Sequence, residues 1–254
     1  SNNRFWTFSL ATSGRYASLN NYVTGVTFSG NDYGSLTLRA NGSTGCITST
    51  QAVNCTYTNN TFIGGQGLFV GAQRCTFNGT TYYDHTITTT TSATNPMSVW
   101  SFTAGGSGNV VDGVLLPQPN FGPYTALVSV GACYNTTVQE IGTDYDTPLV
   151  MTATVTGLGV NSTGNSDGIY VKRMYLSNTR LGPYAFVNSD SNIVIENSAG
   201  DAADTTVMAG LNAIEKNVQM TSATTGQVSV YGAHWKTRFT STTAGFTEIT
   251  CNEP

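Results

Sequence analysis

The sequence predicts an all-β protein, specifically a right-handed parallel β-helix, with a β-sandwich or jelly roll as the alternative. Two observations predict this fold: a strand-and-turn pattern that returns three times early in the chain, and a composition poor in charge. Only 9% of the 254 residues are charged, whereas 11% are aromatic. A disordered chain would be charged and poor in aromatic residues. The low charge therefore indicates a folded protein rich in Thr, Ser, Asn and Gly.

The repeated pattern occupies three eight-residue segments, Val26–Tyr33, Cys55–Phe62 and Cys75–Tyr82. In each segment the first residue is small and apolar, the second is Thr, and the third and eighth are aromatic. This alternation is typical of a half-buried strand. The fifth position is one where Gly or Asn permits a turn at positive φ, and it holds Gly30, Asn59 and Gly79.

The spacing of these segments indicates stacked coils. Cys55 follows Val26 by 29 residues, and Cys75 follows Cys55 by 20. A unit of this period is typical of parallel strands laid one on the next. Three later segments match the same template, with Asn at the turn of the first two, and they are predicted to be equivalent parts of successive coils: Met174–Asn178, Ile193–Asn197 and Val218–Ser222.

In chain order, residues 1–94 are predicted to hold the first β-helical coils, and residues 126–254 the second coils and a C-terminal closing segment. Residues 95–125 are predicted to be a loop or boundary because they are rich in Gly and Pro, and Pro cannot donate to a strand ladder. Alternatively, the two sets of coils form one continuous domain. Leu149–Val155 is a strong strand candidate, and Asp201–Lys216 is the one segment with a helical composition.

Charge and cysteine content exclude several classes of partner. The net charge of −4 and the absence of a basic patch argue against nucleic acid. No apolar run of about 20 residues is present, so no membrane insertion is predicted. Five cysteines without a CxxC motif suit neither a disulfide framework nor a zinc site. Cys55 and Cys75 are predicted to stack as small buried groups, although a Cys46–Cys55 bridge stays open for a secreted protein.

Asp144 and Asp146 are the candidate catalytic residues. Two carboxylates two residues apart on a strand point to the same face, about 7 Å apart along the backbone. Glycoside cleavage uses such a pair, one as the acid and the other as nucleophile or base. The alternative is a solvated turn before Pro148.

The candidate binding residues are Tyr124, Tyr145 and Trp235, because surface Tyr and Trp side chains stack on sugar rings. Asp201 with Asp204, or Asp190 with Asp167, offers too few charged oxygens for calcium. No metal site is therefore predicted. No phosphate loop or HExxH motif occurs, and no cofactor is predicted.

Two parts of the sequence carry a resemblance to a known family. Lys172–Tyr184 with Asn188–Asn197 is similar to the coils of β-helical bacteriophage tail spikes and fibres. Tyr231–Trp235, followed by Phe239–Gly245, resembles their closing segment. The resemblance implies a homotrimer on the virion surface or outside the cell that contacts other virion proteins and binds host surface glycans.

The resulting prediction is a bacteriophage virion structural protein, either a spike, a fibre or another surface appendage. Its role would be attachment to the host surface or assembly of the particle. The chain has fewer groove carboxylates than the enzymatic family members, which favours a structural role over hydrolysis. Two alternatives stay open: a polysaccharide-cleaving tail spike, either hydrolase or lyase, and a non-phage extracellular or capsid assembly subunit.

Overall fold

The computed structural model describes residues 1–7, 18–19, 22–35, 47–63, 67–83, 97–115, 124–142, 148–150, 158–179, 184–187, 189–202, 213–222, 228–231 and 236–239. These residues contain strands and no helix, so the predicted all-β class is confirmed. The helical composition of Asp201–Lys216 was a misleading signal at both of its ends. Asp201 lies in a strand that ends at Ala202, and Ala213 begins another strand that pairs with the first in parallel.

The described residues form 21 strands, numbered in chain order: β1 (Arg4–Thr7), β2 (Ser18–Leu19), β3 (Thr27–Ser29), β4 (Asp32–Ser35), β5 (Ile47–Thr50), β6 (Thr56–Thr58), β7 (Thr61–Ile63), β8 (Gly67–Val70), β9 (Thr76–Tyr83), β10 (Met97–Thr103), β11 (Val110–Leu115), β12 (Tyr124–Gly131), β13 (Tyr134–Ile141), β14 (Leu149–Val150), β15 (Leu158–Ser162), β16 (Asp167–Thr179), β17 (Tyr184–Ala185), β18 (Ile193–Ala202), β19 (Ala213–Ser222), β20 (Val228–Tyr231) and β21 (Lys236–Phe239).

The strands belong to two sheets that the chain visits in alternation. The smaller sheet has the order β17-β15-β12-β10-β8-β5-β2. The larger sheet has the order β1-β4-β7-β9-β11-β13-β16-β18-β19-β20-β21, with β3 beside β6, β6 also beside β9, and β14 beside β16. All pairings are parallel except β19–β20 and β20–β21, which are antiparallel. A repeat is therefore one strand of the smaller sheet followed by one or two strands of the larger sheet.

The predicted alignment of the first three repeats is confirmed residue by residue. Phe28 pairs with Tyr57, and Tyr57 pairs with Phe77. Their rings stack with centroids 4.7 and 5.0 Å apart. The second aromatic position pairs in the same way, with Tyr33 opposite Phe62 and Phe62 opposite Tyr82. At the first aromatic position, like side chains thus lie above one another in the interior.

Most of the described residues at positive φ form three rows, because the same turn recurs in each repeat. The first row contains Gly30, Asn59 and Gly79, as predicted, and continues through Gly113, Glu140, Arg173 and Asn197. The second row contains Gly25, Asn54, Arg74, Gly108, Asn135, Gly168 and Asn192. The third row contains Tyr22, Gln51, Gly71, Ala104, Ala132 and Gly164. A left-handed residue is costly for most side chains, so these rows fix where the chain changes direction.

The predicted equivalence of the later segments is wrong in register. Tyr175 pairs with Ala199, and Ser198 pairs with Val218. Ile193 therefore lies opposite neither Met174 nor Val218. The residue at positive φ in the earlier repeat is Arg173, whereas Asn178 is not at positive φ. Ser198 instead of Ile193 lies opposite Met174, so the predicted register is wrong by five residues.

The stretch 95–125 contains two strands, β10 and β11, each paired on both sides, where a loop or boundary was predicted. The glycines that suggested a loop include Gly105 and Gly108, which both have positive φ at turns. Residues 116–123, which include the three prolines, lie outside the described residues. Of the strand predicted at Leu149–Val155, the structure describes β14 alone.

The two sheets share one hydrophobic core. Phe77 of β9 lies 4.8 Å from Phe69 of β8 and 4.7 Å from Trp100 of β10, measured between ring centroids. Cys55 and Cys75 are buried free thiols, as predicted, and Cys133 is a third. The core therefore consists of aromatic rings in the first repeats, with thiols at the turns.

Asparagines connect residues 1–7 and the first two repeats on the inner side of a turn. The Asn60 Oδ1 accepts hydrogen bonds from the backbone N (2.9 Å) and the side-chain Nδ2 (3.2 Å) of Asn31. The Asn31 Oδ1 accepts equivalent bonds from Asn3. Each buried amide is thus paired with the next, as buried polar groups require.

Candidate functional site

Most of the predicted site residues lie outside the described residues. These are Asp144, Tyr145, Asp146 and Trp235. The pairings on either side of the first three residues are described: Ile141 is opposite Met174, and Leu149 is opposite Leu176. For Tyr124 the structure describes the backbone, which begins β12 and pairs with Met97.

The candidate site that the structure does describe is centred on β16 and its neighbours β13 and β18. We call it the β16 surface, and it consists of Tyr134, Asp167, Tyr170, Lys172 and Asn192. Tyr134 and Tyr170 expose 44% and 38% of their surface. The surface combines exposed aromatic rings, a cation, a carboxylate and an amide, which is the set of groups that binds polyhydroxylated ligands.

Strand alternation places these side chains outward. In β16, Ile169 and Val171 are buried, so Tyr170 and Lys172 point to the opposite face. Tyr134 lies directly opposite Asp167 on the neighbouring strand. Asn135 and Gly168, both at positive φ, follow these two residues and turn the chain. The two tyrosines therefore lie on either side of one turn.

Asp167 is held in place by two side chains of the next repeat. Its Oδ1 accepts hydrogen bonds from the Ser191 Oγ (2.8 Å) and the Asn192 Nδ2 (2.7 Å). These bonds, first from Ser191 and then from Asn192, lower the pKa of the Asp167 carboxyl below its usual value. Asp167 therefore stays ionised at neutral pH and gives the surface a fixed negative group.

The two adjacent basic residues of β16, Lys172 and Arg173, have different partners. The Lys172 Nζ lies 6.0 Å from the centroid of the Tyr170 ring, a cation–π contact of about 0.5–1 kcal/mol at an exposed site. The Arg173 guanidinium instead forms an ion pair with Glu140, and both residues are at positive φ. Among the described residues, Lys172 has no carboxylate partner. Its charge is thus available to a ligand.

The acidic residues considered for calcium do not form a cage. Asp190 is buried and accepts from the Ser162 Oγ (2.8 Å), the Ser166 backbone N (3.0 Å) and the Val187 backbone N (2.8 Å). Asp167 is on the outer face. No group of three or more His, Cys, Asp or Glu side chains is arranged to hold a metal ion within the described part of the chain. Asp190 therefore braces a turn.

The β16 surface offers exposed rings, an ammonium group and hydrogen-bonding groups to a ligand. Stacking on the tyrosines together with hydrogen bonds to polar side chains is how proteins bind carbohydrate rings. In the residues that the structure describes, no helix has the length and apolar character needed to cross a bilayer.

Tyr134 and Tyr170 were missed by the sequence reasoning, although a signal for Tyr170 was present. The run Ile169-Tyr-Val-Lys172 alternates apolar and polar residues, which predicts that Tyr170 and Lys172 share the outer face. Tyr134 gave no such signal, because its exposure depends on the turn at Asn135.

Comparison with models of protein families, with curated proteins and with solved structures finds no match for this chain. The geometry of the described residues is therefore the basis of any functional assignment.

Proposed function

We propose that this chain is a structural protein of a bacteriophage virion, a spike, fibre or other surface appendage, built as a right-handed parallel β-helix. It serves attachment to the host surface or assembly of the particle, and it works as a homotrimer on the virion surface. The β16 surface contacts host glycan in this proposal.

The observation that carries the proposal is the in-register stacking of successive parallel repeats. Each repeat adds one strand to the smaller sheet and one or two to the larger sheet, and the two sheets alternate along the chain as far as β18. Parallel strands joined by crossovers are right-handed in nearly all proteins, which supports the handedness. A stack of this kind is stiff and lengthens in one direction, as an appendage requires.

The outer face of the larger sheet supports a role in contact with other molecules. One outward row contains Thr27, Thr56, Thr76, Val110, Thr137, Tyr170 and Val194. The part of the row from Thr27 to Thr137 is uncharged and β-branched, so a second copy can pack against that part, while Tyr170 belongs to the β16 surface. Three-fold closure of such rows is the basis for proposing a trimer.

The next outward row on the same face consists of polar and charged side chains. It contains Ser29, Thr58, Asn78, Asp112, Gln139, Lys172 and Glu196. These side chains are donors and acceptors for the hydroxyl groups of a glycan. Lys172 adds an ammonium donor to this row, where it lies between Gln139 and Glu196.

Binding to lipopolysaccharide and capsule extracted from candidate hosts tests the attachment role. Tyr134→Ala and Tyr170→Ala each remove one exposed ring, and we expect at least tenfold weaker binding. Tyr22→Ala is the matched control, since Tyr22 is 73% exposed on a different part of the molecule. Equal binding by all three variants would remove the β16 surface from the proposal.

Size-exclusion chromatography with light scattering tests the trimer, and a monomer at micromolar concentration would overturn it.

Release of reducing ends from the same polysaccharides tests the enzymatic alternative. Cleavage that is lost in Asp144→Asn would replace the structural assignment by a hydrolase or lyase.

A further inference from the structure

The two tyrosines of the β16 surface differ in what lies against their rings. Tyr170 already has a cation from the chain itself, since the Lys172 Nζ lies 6.0 Å from its ring centroid. Among the described residues no cation lies against the ring of Tyr134, although Tyr134 is the more exposed of the two tyrosines. The Tyr134 ring is therefore accessible to a group from another molecule.

A carboxylate is the neighbour of Tyr134 on the next strand. Tyr134 and Asp167 pair in register, so their backbones are about 4.8 Å apart and their side chains point the same way. Ser191 and Asn192 both donate to the Asp167 Oδ1, and the Oδ2 accepts no side-chain hydrogen bond from the described residues. Asp167 also forms no ion pair within the described part of the chain. Its negative charge is thus fixed in position and lacks a counter-ion.

The cations of this region have other partners. Arg74 belongs to an earlier repeat, and its Nε donates to a side chain of the repeat before it at 2.8 Å. The Arg173 guanidinium is paired with Glu140. Lys172 is five residues beyond Asp167, up to about 16 Å away along an extended strand, and lies against Tyr170. The described side chains therefore supply no positive group to Asp167.

We propose that Tyr134 and Asp167 together bind an ammonium group of the ligand, either the free amine of an amino sugar or a choline-type substituent of a glycan. The face of an aromatic ring attracts a cation within about 6 Å, and quaternary ammonium groups are recognised in this way. The adjacent carboxylate supplies the opposite charge. This ammonium site rests on the glycan contact proposed above, and it names the group that the contact selects.

Two pairs of probes isolate the positive charge. Glucosamine oligomers with free amines are compared with fully N-acetylated oligomers of the same length. Choline is compared with its uncharged isostere, in which a tert-butyl group replaces the trimethylammonium group. Binding is followed from the ring NMR signals of Tyr134, which are assigned by their loss in Tyr134→Ala. In at least one pair we expect the charged member to bind about fivefold more tightly, from one cation–π contact and one exposed ion pair.

The pair that shows the preference identifies the source of the ammonium group. A preference among the oligomers alone assigns an amino sugar, whereas a preference for choline alone assigns a quaternary ammonium substituent.

Asp167→Asn tests the carboxylate while keeping the hydrogen bonds of the turn. The amide retains an oxygen that accepts from Ser191 and Asn192, and the charge is lost, so we expect the fivefold preference to disappear. Asp32→Asn is the matched control, because it removes the same charge in the first repeat, where Asp32 is paired with Arg4 at 3.2 Å. This control should keep the preference.

A second pair of variants tests the ring. Tyr134→Leu keeps an apolar side chain and removes the aromatic face, so we expect the preference to fall about threefold. Tyr134→Phe retains the aromatic face and should retain the preference. A structural role of Tyr134 alone would not distinguish charged from uncharged probes in this way.

Equal binding within both pairs of probes would overturn the ammonium site, as would a preference that persists in Asp167→Asn. A preference lost equally in Asp32→Asn would also overturn it, because general attraction to a negatively charged protein would then explain the result. If all oligomers bind alike through the tyrosines, the proposed glycan contact stands and the ammonium site alone is wrong. If choline binds and no glycan does, the ammonium site stands and the glycan contact is wrong.

Discussion

Replacing Phe77 by Ala should remove a large part of the stability of the first repeats. Phe77 is fully buried, and its ring centroid lies within 5.0 Å of those of Tyr57, Phe69, Trp100 and Phe102. Truncation of a buried Phe costs about 3–5 kcal/mol, and lost aromatic pairs add about 0.5–1.5 kcal/mol each where they act independently. Because the four pairs share one ring, we expect a total near the upper end, about 5 kcal/mol.

Phe77→Leu separates the cost of lost buried volume from the cost of lost aromatic contacts. It keeps most of the buried volume and loses the ring contacts, so we expect a loss of about 1–3 kcal/mol. Urea unfolding is followed by the fluorescence of Trp100, whose ring centroid is 4.7 Å from that of Phe77. A lower midpoint at constant slope reports stability. A loss under about 1 kcal/mol for Phe77→Ala would refute the claim that stacked rings hold the repeats together.

Three further changes test the turns, a buried carboxylate and a thiol. Gly79→Ala should cost about 1–2 kcal/mol or more, because φ is +59° and the new Cβ would lie 2.6 Å from the Asn59 Oδ1; thermal unfolding measures it. Asp190→Ala should cost about 3 kcal/mol, since two buried donors and one half-buried donor lose their acceptor; urea unfolding measures it. Burial raises the pKa of the Cys75 thiol from 9.0 to about 11, so iodoacetamide at pH 8 should label Cys75 far more slowly than it labels the unfolded chain.

Each of these changes has its own control or contrary outcome. Gly105→Ala carries the φ strain alone, since no atom lies within 4 Å of its new Cβ, and it should cost less than Gly79→Ala. Asp190→Asn keeps one acceptor oxygen and should fall between wild type and Asp190→Ala. For Cys75 the folded pKa lies above the unfolded one, so its contribution to stability is complete below pH 9 and is lost as the pH rises through about 11. Stability that rises over this range would contradict the assignment.

Sequence reasoning succeeded where an aromatic position and a turn residue coincided. In the segments around Phe28, Tyr57 and Phe77, the Thr, the aromatic residue and the Gly or Asn turn together fix one register. In the later repeats the turn residue is Arg173, which gives no turn signal, and alternation alone misaligned the strands by several residues. A positive φ at Arg is set by the neighbouring repeats and is invisible in the local sequence.

The candidate site was harder to predict than the fold. Asp144 and Asp146 were chosen because carboxylates two residues apart suggest chemistry, but both lie outside the described residues. The β16 surface instead depends on Tyr134 and Asp167, which are 33 residues apart and meet only through strand pairing. Contacts across repeats depend on the length of each connection, and that length varies without a pattern in the sequence.

The rows of left-handed residues have a consequence for how such a chain can change in evolution. In the second row, Asn54 and Arg74 are 20 residues apart, and Arg74 and Gly108 are 34 apart, yet all three adopt the same φ region. A block that starts and finishes at equivalent backbone positions can be copied in tandem without altering its neighbours. Each duplication would lengthen the molecule by about 4.8 Å, the distance between adjacent strands. Overall length could thus be tuned in small increments while the existing contacts stay in place.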